Sequence, residues 1–387
     1  MRDRGERFRV SIGELNGALG DLGTLLPLML GAIFLAGLAP VPVVLGFAAF
    51  YLATAVVYRL PVPVQPMKAV AAVLLTTGAT APEVAAAGVL LGVALLVLGA
   101  TGWIGWLARV IPKPVLAGLQ VGLGITLALM SLELMGTSPP VAIAALLILS
   151  AVLVAPWLPA ALLALVAATV LARLLEVPGL SPAAWPDLFD LPVDIIPSLD
   201  EIKRSLTVLA LPQLSLTVTN AILLTALVAG DRFGERAAHV TPARLACTSG
   251  IANLLLAPLG ALPMCHGAGG LAAHYRFGAR SGTAPLLLGL ALAAVALAPS
   301  GLALVAMIPA AGLGALLLVA AGELALGRRL LGSPPSHWPV IAVTAGVTVW
   351  TDPFQGLLAG AAAFLLALLA EKGARQLREL RHSGARR

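Results

Sequence analysis

The sequence predicts an all-α integral membrane protein of fourteen spans, built as two inverted seven-span repeats whose third and tenth helices are broken. Three observations predict it: an apolar composition, a Pro/Gly-containing break at matching places in the two halves, and basic residues gathered on one side of the membrane. Hydrophobic residues make up 59% of the 387, charged residues 11%, and the mean hydropathy is +0.99. A soluble domain carries roughly 25% charged residues. A spanning helix needs about 20 mainly apolar residues, and windows of that length number about twelve to fourteen here. Little chain is left for a soluble domain.

With the N-terminus in the cytoplasm and fourteen spans threaded, most of the 24 Lys and Arg residues fall on cytoplasmic segments. These are the N-terminal arm, Arg59, Arg109 with Lys113, the group Arg232, Arg236 and Arg244, Arg276 with Arg280, Arg328 with Arg329, and the tail. Arg173, Lys203 and Arg204 fall outside, beside Asp187, Asp190, Asp194, Asp200 and Glu201. This positive-inside pattern places both termini in the cytoplasm and the chain in the cytoplasmic (inner) membrane. It also accounts for the net charge of +6 without nucleic acid. Met1 to Arg9 is too charged for a cleavable signal, and Cys247 and Cys265 give neither a disulfide signal nor a metal spacing.

A fixed offset organises the chain. Pro66-Met67 and Pro263-Met264 lie 197 residues apart, as do Ile111-Pro112 and Ile308-Pro309, and Asn16 and Gln213. The halves are residues 1–176 and 205–371, joined by a Pro-rich extracytoplasmic connector over 177–204 and followed by a basic cytoplasmic tail over 372–387. Seven spans per half is odd, so the second repeat inserts upside down and the two breaks meet near the midplane.

In the first half, Asn16 and Asp21 lie in the first span, and the third is interrupted at Pro63-Val64-Gln65-Pro66-Met67-Lys68. Pro61, Pro63 and Pro66 cannot donate backbone hydrogen bonds and disfavour helix before them, so the stretch reads as extended, with a helix beginning near Pro66. The following spans carry Gly118, Gly122 and Gly124, which permit close helix contacts. In the second half Gln213 and Asn220 lie in the eighth span. The tenth is interrupted at Leu262-Pro263-Met264-Cys265-His266-Gly267-Ala268-Gly269-Gly270. Its extended run is expected over Gly260–Met264, with the helix starting around Cys265 to Gly267.

Unwound backbone at membrane depth is tolerated only where it is buried or lines a cavity, and paired interruptions mark a secondary transporter's binding site. Helix N-termini offer unpaired N–H groups and partial positive charge, which suit an anion. The anion is expected between the two broken helices, on N–H groups around Met67–Lys68 and Cys265–Gly267. Gln65 and Gln213 supply neutral donors, which let a dianion leave again where a full ion pair would hold it too tightly. Asn16 and Asn220 are further amides whose alternative role is holding helices together.

Asp21 and Lys68 are charges inside the first half, where they are expected either to pair with each other or to serve the anion and its coupling. His266 either titrates near neutral pH as a coupling group or hydrogen-bonds its own turn. Cys265 offers its backbone N–H. No cofactor is expected, and an enzyme would need a nucleophile–base pair or ligand set that Cys265-His266, adjacent and divergent on a helix, do not form.

The motifs also carry a resemblance. Glu14-Leu15-Asn16-Gly17-Ala18-Leu19-Gly20-Asp21-Leu22-Gly23-Thr24 with Pro27 resembles the first-span signature of the molybdate-transporter family related to the sulfate permeases (SulP). The breaks at 63–68 and 263–271, Tyr275-Arg276-Phe277-Gly278, and Pro212-Gln213-Leu214 with Thr219-Asn220 resemble its other motifs, in order. The resemblance implies a seven-plus-seven inverted repeat with core and gate domains, and import of molybdate, with tungstate alongside it. The sulfate-permease relatives' C-terminal regulatory domain has no room here. A sulfate or dicarboxylate carrier of the same fold is the main alternative, and an anion channel a lesser one. A nucleobase symporter implies carboxylates where Gln213, Asn220 and His266 stand. The partners expected are the oxyanion and membrane lipid, with a homodimer left open.

Overall fold

A computed structural model describes residues 8–104, 106, 112–151, 160–179, 197–298, 301, 303, 307–326, 328–351 and 353–384. The chain is mostly helical. Ser11 caps α1 (Ile12–Leu19) by accepting from the Glu14 N–H. A bend of 43° separates α1 from α2 (Leu22–Phe34), and Asp21 occupies the turn between them. Then follow α3 (Pro40–Tyr58), the two-residue strand β1 (Gln65–Pro66), α4 (Lys68–Thr77) and α5 (Ala81–Thr101). Thr80 and Glu83 form a reciprocal capping box at the start of α5. The half closes with α6 (Lys113–Gly136), α7 (Pro139–Ser150) and α8 (Ala160–Leu174).

The same succession then recurs. The long helix α9 (Leu199–Ala237) holds two π-helical stretches, Ser205–Ala210 and Thr217–Leu223, wider turns that often accompany functional sites. After it come α10 (Pro242–Leu256), β2 (Met264–Cys265), α11 (Ala268–Arg276), α12 (Thr283–Leu297), α13 (Ala310–Ala325), α14 (Trp338–Trp350) and α15 (Pro353–Gly384). Lys113 and Ala310, which open α6 and α13, keep the 197-residue offset found in the sequence.

Five described helices are long and apolar enough to cross a membrane, and the bent α1–α2 pair makes a sixth. Five further apolar helices, α4, α7, α8, α12 and most of α13, are shorter. Fourteen spans are therefore not counted by helix length alone. One reason is physical: extended backbone takes the place of helix before α4 and α11, which are correspondingly short.

Helices pack as two bundles. α3 lies against α12 and α5 against α10, so the helix before the break in each half meets the helix after the broken one in the other. In the second bundle α6 packs on α13 and α14, α14 on α15, and α7 on α8 and α13. The bundles meet where α2 touches α13 and α4 touches α6. Small residues allow the close approach within the second bundle. A Cβ on Gly118 would lie 2.5 Å from Thr344 Cβ, and one on Gly122 2.6 Å from Thr348 Cβ. Gly118→Val is accordingly expected to destabilise the protein by about 1–3 kcal/mol through overpacking, read as a lower midpoint of thermal unfolding in detergent.

Candidate functional site

The two breaks find each other. β1 and β2 pair antiparallel, Gln65 opposite Cys265 and Pro66 opposite Met264, and the Met67 N–H donates to Pro263 O at 2.9 Å. Asn253 on α10 acts as a third strand. Its Nδ2 donates to Met264 O at 2.6 Å, and its Oδ1 accepts from the Met264 N–H at 2.9 Å. Backbone that leaves a helix at membrane depth is thereby satisfied within the protein.

The pairing also moves both helix starts relative to the sequence reading. The helices begin at Lys68 and Ala268, with Met67 and Gly267 as their extended caps. Both starts move a little later because the ladder, not proline, decides where the helix begins. Gly260, expected to open the extended run, instead closes a 3₁₀ turn at φ 90°.

The two glutamines sit at this junction, both buried. Gln213 Oε1 accepts from the Ala69 N–H at 2.8 Å and the Val70 N–H at 3.3 Å, the first turn of α4. Its Nε2 donates to Thr217 Oγ1 at 2.7 Å. The Gln213 oxygen therefore stands in for an anion at a helix N-terminus. Gln65 Nε2 donates to Asp21 Oδ1, and its amide lies against Gly267 and Gly270 at the start of α11. Tyr51 also donates to Asp21, through Oδ2, at 3.3 Å. Each half thus places an amide at the head of a broken helix.

Asp21 is 2% exposed. The expected pairing of Asp21 with Lys68 is not among the described ion pairs, which are Lys203 with Asp200 and Arg204 with Glu83. Gln65 and Tyr51 donate to Asp21, and Lys68, the first residue of α4, lies on the cavity wall. His266 is tied at both nitrogens, Nδ1 to Pro63 O and Nε2 to Thr248 Oγ1, each at 2.9 Å. Its ring packs edge-on against Tyr58 and near Phe50. It straps the second break to the first rather than bonding its own turn. Asn16 is half-buried on α1 and is not on the cavity wall. The Asn220 side chain lies outside the described residues.

Between the bundles lies a cavity of about 30 Å³ of solvent-accessible volume, where one water needs roughly 10–15 Å³. Gln65, Lys68, Gln213, Cys265, His266 and Gly267 all line it. The first bundle supplies most of the wall, and Gln120 of α6 and Leu324 of α13 close it from the second. The sequence reading did not single out Thr217, Asn253, Thr248 or Gln120. Thr217 was within reach, since it stands one helical turn after Gln213.

Extended strands feeding two half-length helices, meeting at a polar cavity between two bundles, define a multi-pass membrane transporter. Solved structures share the architecture. The transmembrane domain of a cyanobacterium bicarbonate transporter, BicA, matches with a TM-score of 0.65 at 18% identity, over 91% of this chain and 98% of that one. Murine Slc26a9, an anion transporter in the inward-facing state, matches with a TM-score of 0.70 at 16% identity, over 94% and 70%. The chain belongs to the molybdate transporter family. The family model described as "Molybdate transporter of MFS superfamily" matches residues 13–127 and 205–324, which hold both breaks. Molybdate transporter 2 of Arabidopsis thaliana is 30% identical over 92% of this chain and 87% of its own length. Molybdate transporter 1 of Chlamydomonas reinhardtii is 27% identical over 90% and 89%. The family is one of transporters, not enzymes.

Proposed function

We propose that this protein imports molybdate, and tungstate with it, across the cytoplasmic membrane by alternating access. One observation carries the reading. Two broken helices begin at a single small cavity walled by neutral amides and one lysine, between two bundles that touch along few elements. Helix N-termini and amides favour an oxyanion, and Lys68 sets one positive charge against the anion's two, which attracts it without full neutralisation. Compactness favours a tetrahedral ion over a nucleobase. The named activity of the Arabidopsis and Chlamydomonas relatives points the same way.

The architecture proposed is the seven-plus-seven inverted repeat with both termini cytoplasmic. The first bundle is the core that carries the anion, and the second the gate. The recurrence of element order, the reciprocal α3–α12 and α5–α10 contacts and the antiparallel strand pair support it. The repeats are residues 1–176 and 205–371, with the connector outside and the basic tail inside. The cavity is complete within one chain, so a homodimer would join two independent transport units.

Titration calorimetry on the purified protein with molybdate, tungstate, sulfate and fumarate in one buffer tests the reading. Selective binding of molybdate and tungstate is expected. Equal binding of sulfate would make the protein a general oxyanion carrier, and binding of none would remove the substrate. Uptake into proteoliposomes that saturates and accumulates against a gradient separates a carrier from a channel.

A further inference from the structure

The cavity's polar groups are unequal in what they have left to give. Gln213 spends its oxygen on the Ala69 and Val70 N–H groups and its Nε2 on Thr217. Gln65 spends its Nε2 on Asp21. Both nitrogens of His266 are taken, by Pro63 O and Thr248 Oγ1. Among the described residues, two of the amide and charged side chains on the cavity wall make no hydrogen bond or ion pair at all: Lys68 on the first bundle and Gln120 on the second. Gln120 is 8% exposed, lies in the first half of α6, and lines the cavity. A buried amide normally finds a hydrogen-bond partner. One held at the wall of a polar cavity by an otherwise apolar helix is poised for a ligand.

Its backbone is also held rigidly. Gly118 and Gly122, two residues to either side, seat α6 on Thr344 and Thr348 of α14, and Gly124 seats it on Ala325 of α13. A donor on a helix fixed in this way keeps its geometry. Residue 317, at the 197-residue offset from Gln120, is leucine. The inverted repeat therefore does not supply a second such amide, and the gate side of the cavity is chemically one-sided.

We propose that Gln120 is the gate-side ligand of the transported oxyanion, donating its Nε2–H to one anion oxygen while the core side holds the others. This rests on the molybdate reading above and deepens it. The bound anion bridges Lys68 and the head of α4 on the core to Gln120 on the gate. Affinity is then highest when the bundles are close, and it falls as the core moves away. An amide serves this task better than a cation, because a donor that must be released on every cycle cannot bind too tightly.

The test is molybdate uptake against concentration in proteoliposomes, with calorimetry on the same preparations, for wild type, Gln120→Met, Gln120→Asn and Gln120→Glu. Met keeps the volume and removes the donor, so KM is expected to rise ten- to a hundredfold with kcat within about threefold, each tenfold being about 1.4 kcal/mol. Asn keeps the amide but withdraws it, and should fall between. Glu should abolish binding. An unchanged KM in Gln120→Met, or full uptake by Gln120→Glu, would overturn the assignment. Should wild type bind sulfate but not molybdate, the substrate reading fails alone, and the same Met-against-wild-type comparison with sulfate decides the role of Gln120.

Discussion

Gln213→Glu is expected to abolish molybdate uptake while leaving the protein folded. The carboxylate keeps an oxygen where the amide had one, so the Ala69 and Val70 N–H groups retain their acceptor. Thr217 can turn its hydroxyl to donate where it formerly accepted. A negative charge at the first turn of α4 is also favourable to the helix. The same charge stands on the wall of the anion cavity. Two like unit charges about 4 Å apart at an effective dielectric near 20 repel by roughly 4 kcal/mol, and a dianion doubles it. Opposition of that size removes binding at any workable concentration.

Gln213→Ala separates the two roles. It leaves the α4 N–H groups without their acceptor, a loss of about 0.5–2 kcal/mol by analogy with other caps, and it also loses uptake. Thermal unfolding in detergent, read beside uptake of labelled molybdate, distinguishes them: Ala lowers both, Glu lowers uptake alone. Wild-type transport by Gln213→Glu would place the anion elsewhere.

The breaks were legible because proline announces itself. Pro63, Pro66 and Pro263 remove backbone donors and disfavour helix before them, and the 197-residue offset survives in the starts of α6 and α13. Gln65 and Gln213 were legible as amides in apolar spans, since lipid leaves few reasons to bury one. Their orientation was not. The partners that fix it are 44 residues away for Gln65 and 144 for Gln213, and only the fold brings them together. The same holds for Asp21, whose engagement by Gln65 and Tyr51 could not be told from an ion pair with Lys68 by sequence. His266 was read as a coupling group or a local cap, and its strap to Pro63 depends on the β1–β2 register. Gln120 escaped notice because it sits among glycines that read as packing, which they are. That it faces a cavity depends on where α6 lies relative to α4. The number of spans was not legible in helix length, because extended backbone replaces helix at the two breaks.

The sharpest comparison lies within one turn of α11. A Cβ on Gly270 would sit 2.5 Å from Gln65 Nε2, 2.6 Å from Asp21 Oδ1 and 2.7 Å from Asp21 Oδ2, whereas one on Gly269 would meet nothing within 4 Å. Both positions are helical, so alanine suits the backbone at either, and by propensity alone each change stabilises the helix by up to about 1 kcal/mol. Gly270→Ala nonetheless drives a methyl group into the hydrogen bond between Gln65 and Asp21. The atoms it meets are side-chain ends that can yield, so the fold survives, but yielding swings the Gln65 amide off the head of α11. Gly270→Ala is therefore expected to lower molybdate uptake at least tenfold in a protein that still folds, the helix-propensity gain of up to about 1 kcal/mol set against a buried hydrogen bond whose loss costs about 1–3 kcal/mol. Gly269→Ala should keep uptake within about twofold. Equal uptake by the two variants would show that the Asp21–Gln65 contact does not position the site. A loss shared by both would instead implicate the helix backbone itself, through its packing or its motion, since that is what the two substitutions have in common.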